Sequence, residues 1–257
     1  MSPSTVSAFG IDIGGSGIKA APVDVATGRL LAQRLTVPTP QPSTPTALAR
    51  TVRELVADFD PPAAVPMGLT FPAPLRHGIA PWVANLDDSW VGVDVPQVLG
   101  EALGREPVAI NDADAAGFAE TRFGAARGVA GVVLVITLGT GIGSGMFVDG
   151  TLVPNTELGH LEIDGVKAEW RAAASIKDRE GLTYSAWAQR LQRYFETLET
   201  LFSPDLFVVG GGVSRVADKF LPLLDLATPI VPALFRNTAG IVGAAVFAAE
   251  SSTSPTT

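Results

Sequence analysis

The 257-residue chain is 47% hydrophobic and 17% charged, long enough for one large domain or two modest ones and too apolar to be disordered. Its 18 basic and 26 acidic residues leave a net charge of −8, which argues against a general nucleic-acid binder or a membrane-surface protein, since both present basic fields. It contains no cysteine, so disulfides and thiolate zinc sites are excluded and a reducing compartment is permitted.

The opening MSPSTVSAFG lacks the basic patch and apolar run of a signal peptide, and no stretch is long and apolar enough to span a membrane. A soluble cytoplasmic protein is therefore expected, with a short polar tail, SSTSPTT, that frays. Residues 6–13, VSAFGIDI, read as a strand, and the alternation in IKAAPVDVATGRLLAQRLTVPT predicts a hairpin turning at Thr27-Gly28. The proline-studded VPTPQPSTPT is an extended connection. Leu48, Val52, Leu55, Val56 and Phe59 then fall on one face of a helix, and residues 65–71, VPMGLTF, return to strand.

The middle of the chain repeats a unit of strand followed by signal. EPVAIND (106–112) is a strand ending in Asn111-Asp112, with a helix after it. Residues 131–154 read as strand, glycine turn, strand, a turn at Asp149-Gly150, and strand. That is the layout of residues 6–35 again, an internal duplication. Trp187, Leu191, Phe195, Leu198 and Phe202 mark a long helix stopped near Pro204. LFVVGGG (206–212) is a further strand entering a glycine turn, and residues 238–250 form a small-residue helix with little polar face, suited to burial. Two α/β domains on mixed sheets fit this pattern, divided as residues 1–111 plus 239–257 (the smaller) and 112–238 (the larger).

Three strand ends carry glycine turns: DIGGSG, TLGTGIG and VVGGGVS. Gly15, Gly17 and Ala20 satisfy the loose dinucleotide fingerprint G-x-G-x-x-A, but that motif must open a helix, whereas a hairpin follows here. The P-loop pattern is absent as well. A single such stretch is as well explained as a tight turn, whereas three together point to a nest of backbone N–H groups for phosphate. Gly14, Gly15, Ser16 and Gly17 in the first turn, and Thr137, Gly139, Thr140, Gly141 and Gly143 in the second, are the candidates; Ser16 and Thr140 add hydroxyl donors. Asp12 stands where a carboxylate can orient hydrated Mg²⁺, and Lys19 adjoins the turn.

Phosphoryl transfer also needs a group that accepts the nucleophile's proton. Asp112 is the obvious carboxylate, although Asn-Asp at a strand end also suits a helix N-cap, and Asp114 competes for either role. Glu157, His160 and Glu162 cluster within NTELGHLEIDG. His160 is open to three readings: a satisfied buried histidine, a metal ligand, or a partner for polyol hydroxyls. Metal binding is disfavoured without cysteines. Matched hydrogen bonds to hydroxyls would make a selective sugar site, and Glu162 reads as an exposed strand residue.

These motifs, in this order, resemble the ROK-family sugar kinases, a branch of the actin-like ATPase (ribonuclease H-like) fold. In that duplicated fold two α/β domains flank a central cleft. DIGGSGIK resembles the first phosphate motif, TLGTGIGSG the second, VVGGGVS the adenosine motif, INDADAA the catalytic strand end and ELGH the sugar signature. The likeness runs from about residue 6 to 250. PTPQPSTP, VANLDDSWVG, TELGHLEIDG and TLFSPDLFVVGGGVS further resemble the polyphosphate glucokinases of actinobacteria, which also lack the CxCGxxGC zinc motif of many ROK proteins.

The resemblance implies that Asp112 takes the proton from the sugar 6-hydroxyl, that Asn111 binds the 3- and 4-hydroxyls, and that Glu157 and His160 hold hydroxyls near the anomeric carbon. Glu169 in KAEWRAAAS matches a third family glutamate, and Asn85 a substrate-loop position lining the sugar pocket. Asp12 with Mg²⁺, Gly14 to Gly17 and Gly139 to Gly143 would face the transferred phosphate, and Gly210, Gly211 and Gly212 the nucleotide, with no zinc site. Glucose, with mannose as a variant, would be the acceptor, polyphosphate and ATP the donors, and a homodimer the assembly. A polyphosphate track would draw on Lys19, Arg76, Lys167, Arg171, Lys177 and Arg215.

Other readings compete with this one. A DNA-binding ROK regulator would need a helix-turn-helix ahead of the core, and DIGG begins at residue 12. A catalytically dead sugar sensor is countered by Asp112. An ATP-dependent kinase for another hexose, such as mannose or an N-acetylated sugar, stays open.

Overall fold

The computed structural model describes residues 7–253; Val6 and the last four residues of the polar tail lie outside them. In chain order the elements are β1 (Ser7–Ile13), β2 (Gly17–Asp24), β3 (Arg29–Leu30), β4 (Leu35–Pro38), α1 (Pro45–Ala57), β5 (Met67–Phe71), α2 (Val95–Leu103), β6 (Val108–Asn111) and α3 (Asp112–Phe123). They continue as β7 (Val132–Leu138), β8 (Ile142–Val148), β9 (Thr151–Val153), β10 (Glu162–Ile163), β11 (Val166–Lys167), α4 (Glu169–Ala172), α5 (Ala174–Arg179), α6 (Tyr184–Phe202), β12 (Leu206–Gly210), β13 (Ile230–Pro232) and α7 (Ala239–Thr253). Two compact units result, one ending at Ala119 and resuming at Thr238, the other running Glu120–Asn237. The first crossing falls inside α3, rather than ahead of Asp112.

The first unit's sheet has the order β3-β2-β1-β5-β6, with β4 also pairing with β2. Its first three strands are an antiparallel meander, while β1, β5 and β6 run parallel. The second unit's main sheet, β13-β12-β7-β8-β9, is the same arrangement: an antiparallel meander β7-β8-β9 with β12 and β13 parallel to β7. The duplication read from the glycine turns is thus a duplication of topology. In both units the turns sit at the carboxyl ends of parallel strands, where open α/β sheets place their ligands.

Local chemistry sets the helices. Thr44 caps α1 ahead of Pro45, and Leu48, Val52, Leu55 and Val56 are its buried stripe. Phe59 lies beyond the end of α1, its ring edge-on to Phe9 at 5.2 Å, so the predicted face ended one turn earlier than expected. Helix α6 begins at the Thr183 cap, buries Trp187, Leu191, Phe195 and Leu198, and stops at Ser203 in a left-handed conformation before Pro204. Each large side chain buried this way stabilises the fold by about 1.5–3 kcal/mol. Helix α2 was not predicted; its Asp94 cap, early Pro96 and left-handed Gly104 are all legible end signals around a short apolar segment.

Helix α7 returns to the first unit and lies on its sheet, burying Ile241, Val242, Ala244, Ala245, Val246 and Ala248. It approaches closer than side chains permit. A Cβ on Gly10 of β1 would collide with the carbonyl oxygen of Ile241, and one on Gly68 of β5 with that of Ala244. Backbone meets backbone at both crossings, so the neighbour cannot swing aside. Gly68→Ala should therefore lower the free energy of unfolding by about 3 kcal/mol, the upper end for overpacking. Urea denaturation measures this, and an unchanged midpoint would show that α7 is free to retreat.

Candidate active site

In the first unit, register assembles the polar cluster. Asp12 pairs with Lys19 across the antiparallel ladder and with Thr70 across the parallel one. Lys19 Nζ lies 2.8 Å from Asp12 Oδ2, and the Thr70 hydroxyl donates to Asp12 Oδ1 at 3.1 Å while accepting from Ile13 N at 3.0 Å. The glycine turn beyond is closed by Gly14 N donating to the Gly17 carbonyl at 3.0 Å, and Thr39 donates to the Gly14 carbonyl at 2.5 Å. Ser16 forms the exposed tip, its carbonyl accepting from Thr39 N at 3.3 Å.

Asn85 stands against this turn: a Cβ on Gly15 would lie 3.0 Å from that of Asn85. Its loop is held from below. Buried Trp90 donates from Nε1 to the Ser43 carbonyl at 2.8 Å and packs edge-on against Phe71 at 5.0 Å, while Asp87 N donates to the Ser43 hydroxyl at 3.0 Å.

The helix cap expected of Asn-Asp is Asn111. Its Oδ1 accepts from Ala113 N at 2.9 Å and from Asp114 N at 3.2 Å, which leaves the side-chain amide N–H groups to donate elsewhere. Asp112 is thereby released from capping. Its carboxylate is open to solvent yet crowded by protein; loss of hydration first, and then the negative charge of Asp12, push its pKa up to about 6, against the smaller pull of backbone N–H groups and Lys19. A carboxylate so shifted is a better proton acceptor than an ordinary aspartate and is still ionised at neutral pH. Asp114 is buried under the helix and faces no solvent.

In the second unit, β7 and β8 pair Thr137 with Gly143 and Leu138 with Ile142, leaving Gly139, Thr140 and Gly141 as the tip. The start of α5 is tied to that tip: Ser175 N donates to the Gly139 carbonyl at 3.0 Å and its hydroxyl to the Thr140 carbonyl at 2.6 Å. Glu169 comes in from the side, its Oε2 2.6 Å from where a Cβ of Gly141 would stand. His160 Nε2 lies 3.3 Å from Glu169 Oε1. Glu169, matched in sequence to a third family glutamate, thus lies against the histidine of ELGH. Glu157 begins the 3₁₀ turn Leu158–His160, and His160 N donates to its carbonyl at 3.0 Å.

That turn is fastened to β8 by Ser144, whose buried hydroxyl donates to the Thr156 carbonyl at 2.7 Å and accepts from Leu158 N at 2.9 Å. Glu162 is an exposed strand residue, as its pattern predicted. The third glycine turn abuts the second: Gly211, with φ of +84°, has no room for a Cβ because the backbone of Leu138 fills the space, and Gly210 and Gly212 flank it. Of the basic candidates in this unit, Lys177 is engaged by Asp178 at 2.8 Å and Lys167 lies over the Trp170 ring at 5.4 Å, while Arg215 is exposed.

Sequence reasoning missed the groups that hold these side chains in place, namely Thr70, Thr39, Ser144, Thr156 and Ser175. Thr70 was the most legible, as the one polar side chain in an otherwise apolar strand. Among the described residues no group of three or more metal-ligating side chains occurs, and no helix is long and apolar enough to cross a membrane.

Comparison with known proteins gives the family. The ROK family profile matches residues 8–182. The polyphosphate glucokinase of Mycobacterium tuberculosis (strain H37Rv) is 51% identical over 239 residues, covering 93% of this chain and 89% of that one. The crystal structure of the inorganic polyphosphate/ATP-glucomannokinase from Arthrobacter sp. strain KM superposes with a TM-score of 0.92 at 54% identity, over 96% of this chain and 99% of that one. A ROK glucokinase from Streptomyces griseus, solved with glucose and AMPPNP, shares the fold with a TM-score of 0.81 at 24% identity, over 95% of this chain and 99% of that one. The duplicated mixed-sheet unit is that of the actin-like ATPase fold, and the chain belongs to the ROK family.

Proposed function

We propose that this protein transfers the terminal phosphoryl group of inorganic polyphosphate to the 6-hydroxyl of glucose, with ATP as a second donor, giving glucose 6-phosphate. The observation that carries the reading is the state of Asp112: freed from capping by Asn111 and poised near neutrality beside the first glycine turn. The choice of donor is supported by the extended identity to a polyphosphate glucokinase and to a polyphosphate/ATP-glucomannokinase. The latter name also supports mannose as an alternative acceptor. A cytoplasmic homodimer fits the composition and the family.

In this reading the 6-hydroxyl oxygen attacks the terminal phosphorus, the bond to the bridging oxygen breaks, and the chain leaves one phosphate shorter. Asp112 takes the hydroxyl proton as transfer proceeds. Asn111 donates its free amide to sugar hydroxyls, and Asn85 lines the sugar's binding surface. Glu157, His160 and Glu169 supply further hydrogen-bond partners, with the His160–Glu169 contact fixing the imidazole. The turns Gly14–Gly17 and Gly139–Gly143, with Thr137, Thr140 and Ser16, present N–H and O–H donors to phosphate oxygens. Gly210–Gly212 would admit the nucleotide of ATP without side-chain bulk.

Mg²⁺ fits Asp12 through retained waters, because both oxygens of that carboxylate already accept from Lys19 and Thr70 and each keeps a lone pair. Bound there, the ion would neutralise charge on the transferred phosphate.

Glucose 6-phosphate formation with polyphosphate and with ATP, at matched terminal-phosphate concentration, tests the donor: faster turnover with polyphosphate is expected, and turnover with ATP alone would overturn that choice. Asp112→Asn should lower kcat by about 10²–10⁴-fold, the range for a lost general base, while glucose still binds. Since partial loss of hydration and Asp12 oppose ionisation of Asp112, the same variant should be no less stable than the parent at pH 8. Near-normal turnover would remove Asp112 from the role.

The base acts only when deprotonated, so kcat should fall as pH drops through about 6, the value to which Asp112 is pushed. A pH profile of kcat without an acidic limb near 6 would contradict the assignment. Glu157→Ala should raise KM for glucose about 10- to 100-fold, the worth of a hydrogen bond to a charged group. An unchanged KM would show that Glu157 does not touch the sugar.

A further inference from the structure

Away from the glycine turns, the second unit holds a cavity of about 380 Å³, within the range of small-molecule sites, that the transfer reaction does not use. Its floor is apolar, made by Ile163, Ala168, Ala172, Leu182 and Ala186, and its rim carries Arg171, Arg190 and Arg193 with one carboxylate, Asp164, among them. Residues 186, 189, 190 and 193 are spaced to share one face of α6, so the helix presents its two arginines and Gln189 together.

The counter-charges leave capacity to spare. Arg193 Nε and one terminal nitrogen bond Asp164, at 3.2 and 3.0 Å. Arg190 donates to Glu180 at 2.7 Å and to the Arg171 carbonyl at 3.2 Å. Arg171 itself makes no ion pair among the described residues; Asp164 lies within its electrostatic reach but is already held by Arg193. Each guanidinium has five N–H donors, of which the observed contacts use two or fewer. Three such forks approaching from two elements match the three free oxygens of a phosphate monoester better than the two coplanar oxygens of a carboxylate. The apolar floor calls for an organic body on the ester.

The wall behind this cavity leads to the sugar residues. Arg171 and Glu169 sit two positions apart on α4, roughly 200° around its axis, so one helical turn carries the cavity rim on one side and the His160 partner on the other. Tyr194 lines the cavity, and its buried hydroxyl has no hydrogen-bond partner. Burial, and then the charge of Glu169, hold its phenol above the ordinary value, which places the carboxylate and the hydroxyl within electrostatic reach. A buried hydroxyl without a partner, within electrostatic reach of a carboxylate held by His160, allows two arrangements: a shift of α4 that brought them together would satisfy the hydroxyl.

We propose that this cavity is a second ligand site, for a small organic phosphate monoester, and that its occupancy is coupled through α4 to the Glu169–His160 pair. Isothermal titration calorimetry with phenyl phosphate tests it on the full chain. The parent should bind one equivalent, at least 10-fold more tightly than phenol or inorganic phosphate. Arg190→Ala/Arg193→Ala should weaken that binding at least 10-fold; the pairs it removes are exposed, so the fold should survive, and an unchanged thermal midpoint checks this. Ala186→Phe, which keeps every arginine but fills the floor, should weaken it equally.

Undiminished binding in both variants would overturn the site, and benzoate binding as tightly as phenyl phosphate would overturn the phosphate class. Saturating phenyl phosphate should change the dissociation constant for glucose at least 3-fold in the parent and not in the variants; no change in the parent would overturn the coupling. The binding measurements need neither turnover nor glucose, so they stand or fall separately from the proposed kinase activity.

Discussion

The register of β1 against its two neighbours is the constraint on which the first unit's chemistry rests. Only one alignment puts Asp12 opposite both Lys19 and Thr70, and side chains alternate faces along a strand. A slip by one residue would turn Asp12 into the core and Ile11 or Ile13 out of it. The cost of such a slip is the burial of a carboxylate together with the exposure of isoleucines that are now fully buried, so the hydrophobic pattern enforces the placement of the polar group. Helix α7 locks the same register from the other side, because its backbone fits only over the glycines of β1 and β5. Stability and site geometry are therefore one specification in this unit.

The two units build their first glycine turns in the same way. Each uses a meander whose first turn lies at the carboxyl end of a parallel strand, and each secures that turn with a hydroxyl from elsewhere: Thr39 on the Gly14 carbonyl, Ser175 on the Thr140 carbonyl. In each turn one N–H closes the turn itself, Gly14 N on the Gly17 carbonyl and Gly139 N on the Gly141 carbonyl, both at 3.0 Å. In a chain of net charge −8, uncharged backbone donors offer a polyanion attraction at the point of contact without requiring a basic surface. Lys19, the cation best placed to serve, is largely spent on Asp12.

Much of this was legible in the sequence because it is local. Strand alternation, turn glycines and helix end signals act over a few residues, and the repeated strand-turn-strand pattern of 6–35 and 131–154 is the repeated sheet order. Helix α2 was missed because its apolar face is too short to show a period, although Asp94 and Gly104 mark its ends. The site was legible where a residue type is unusual in its place, as with Asp12, Asn111, Asp112, Glu157 and His160. It was illegible where position depends on partners far along the chain: Thr70 lies 58 residues from the carboxylate it orients, and Ser175 lies 35 from the turn it braces. Nothing in the composition of EPVAIND separates the capping residue from its neighbour; that separation appears only when Asn111 Oδ1 is seen on the helix N–H groups.

That division of labour between adjacent residues lets one strand end build a helix and still leave a carboxylate free to titrate. A capping carboxylate is held in its charged form by backbone N–H groups, which lowers its affinity for a proton. By giving the cap to a neutral amide, the chain leaves the Asp112 carboxylate with little beyond the hydrogen bond from Ala113 N at 2.9 Å and the pull of its own N–H, and lets crowding and Asp12 raise its proton affinity. Asp12, by contrast, is held on both oxygens. Two carboxylates in one neighbourhood are thus differentiated by their hydrogen bonds, one fixed as a charge and the other left to titrate. In the proposed transfer the repulsion between them would be relieved when Asp112 accepts the proton.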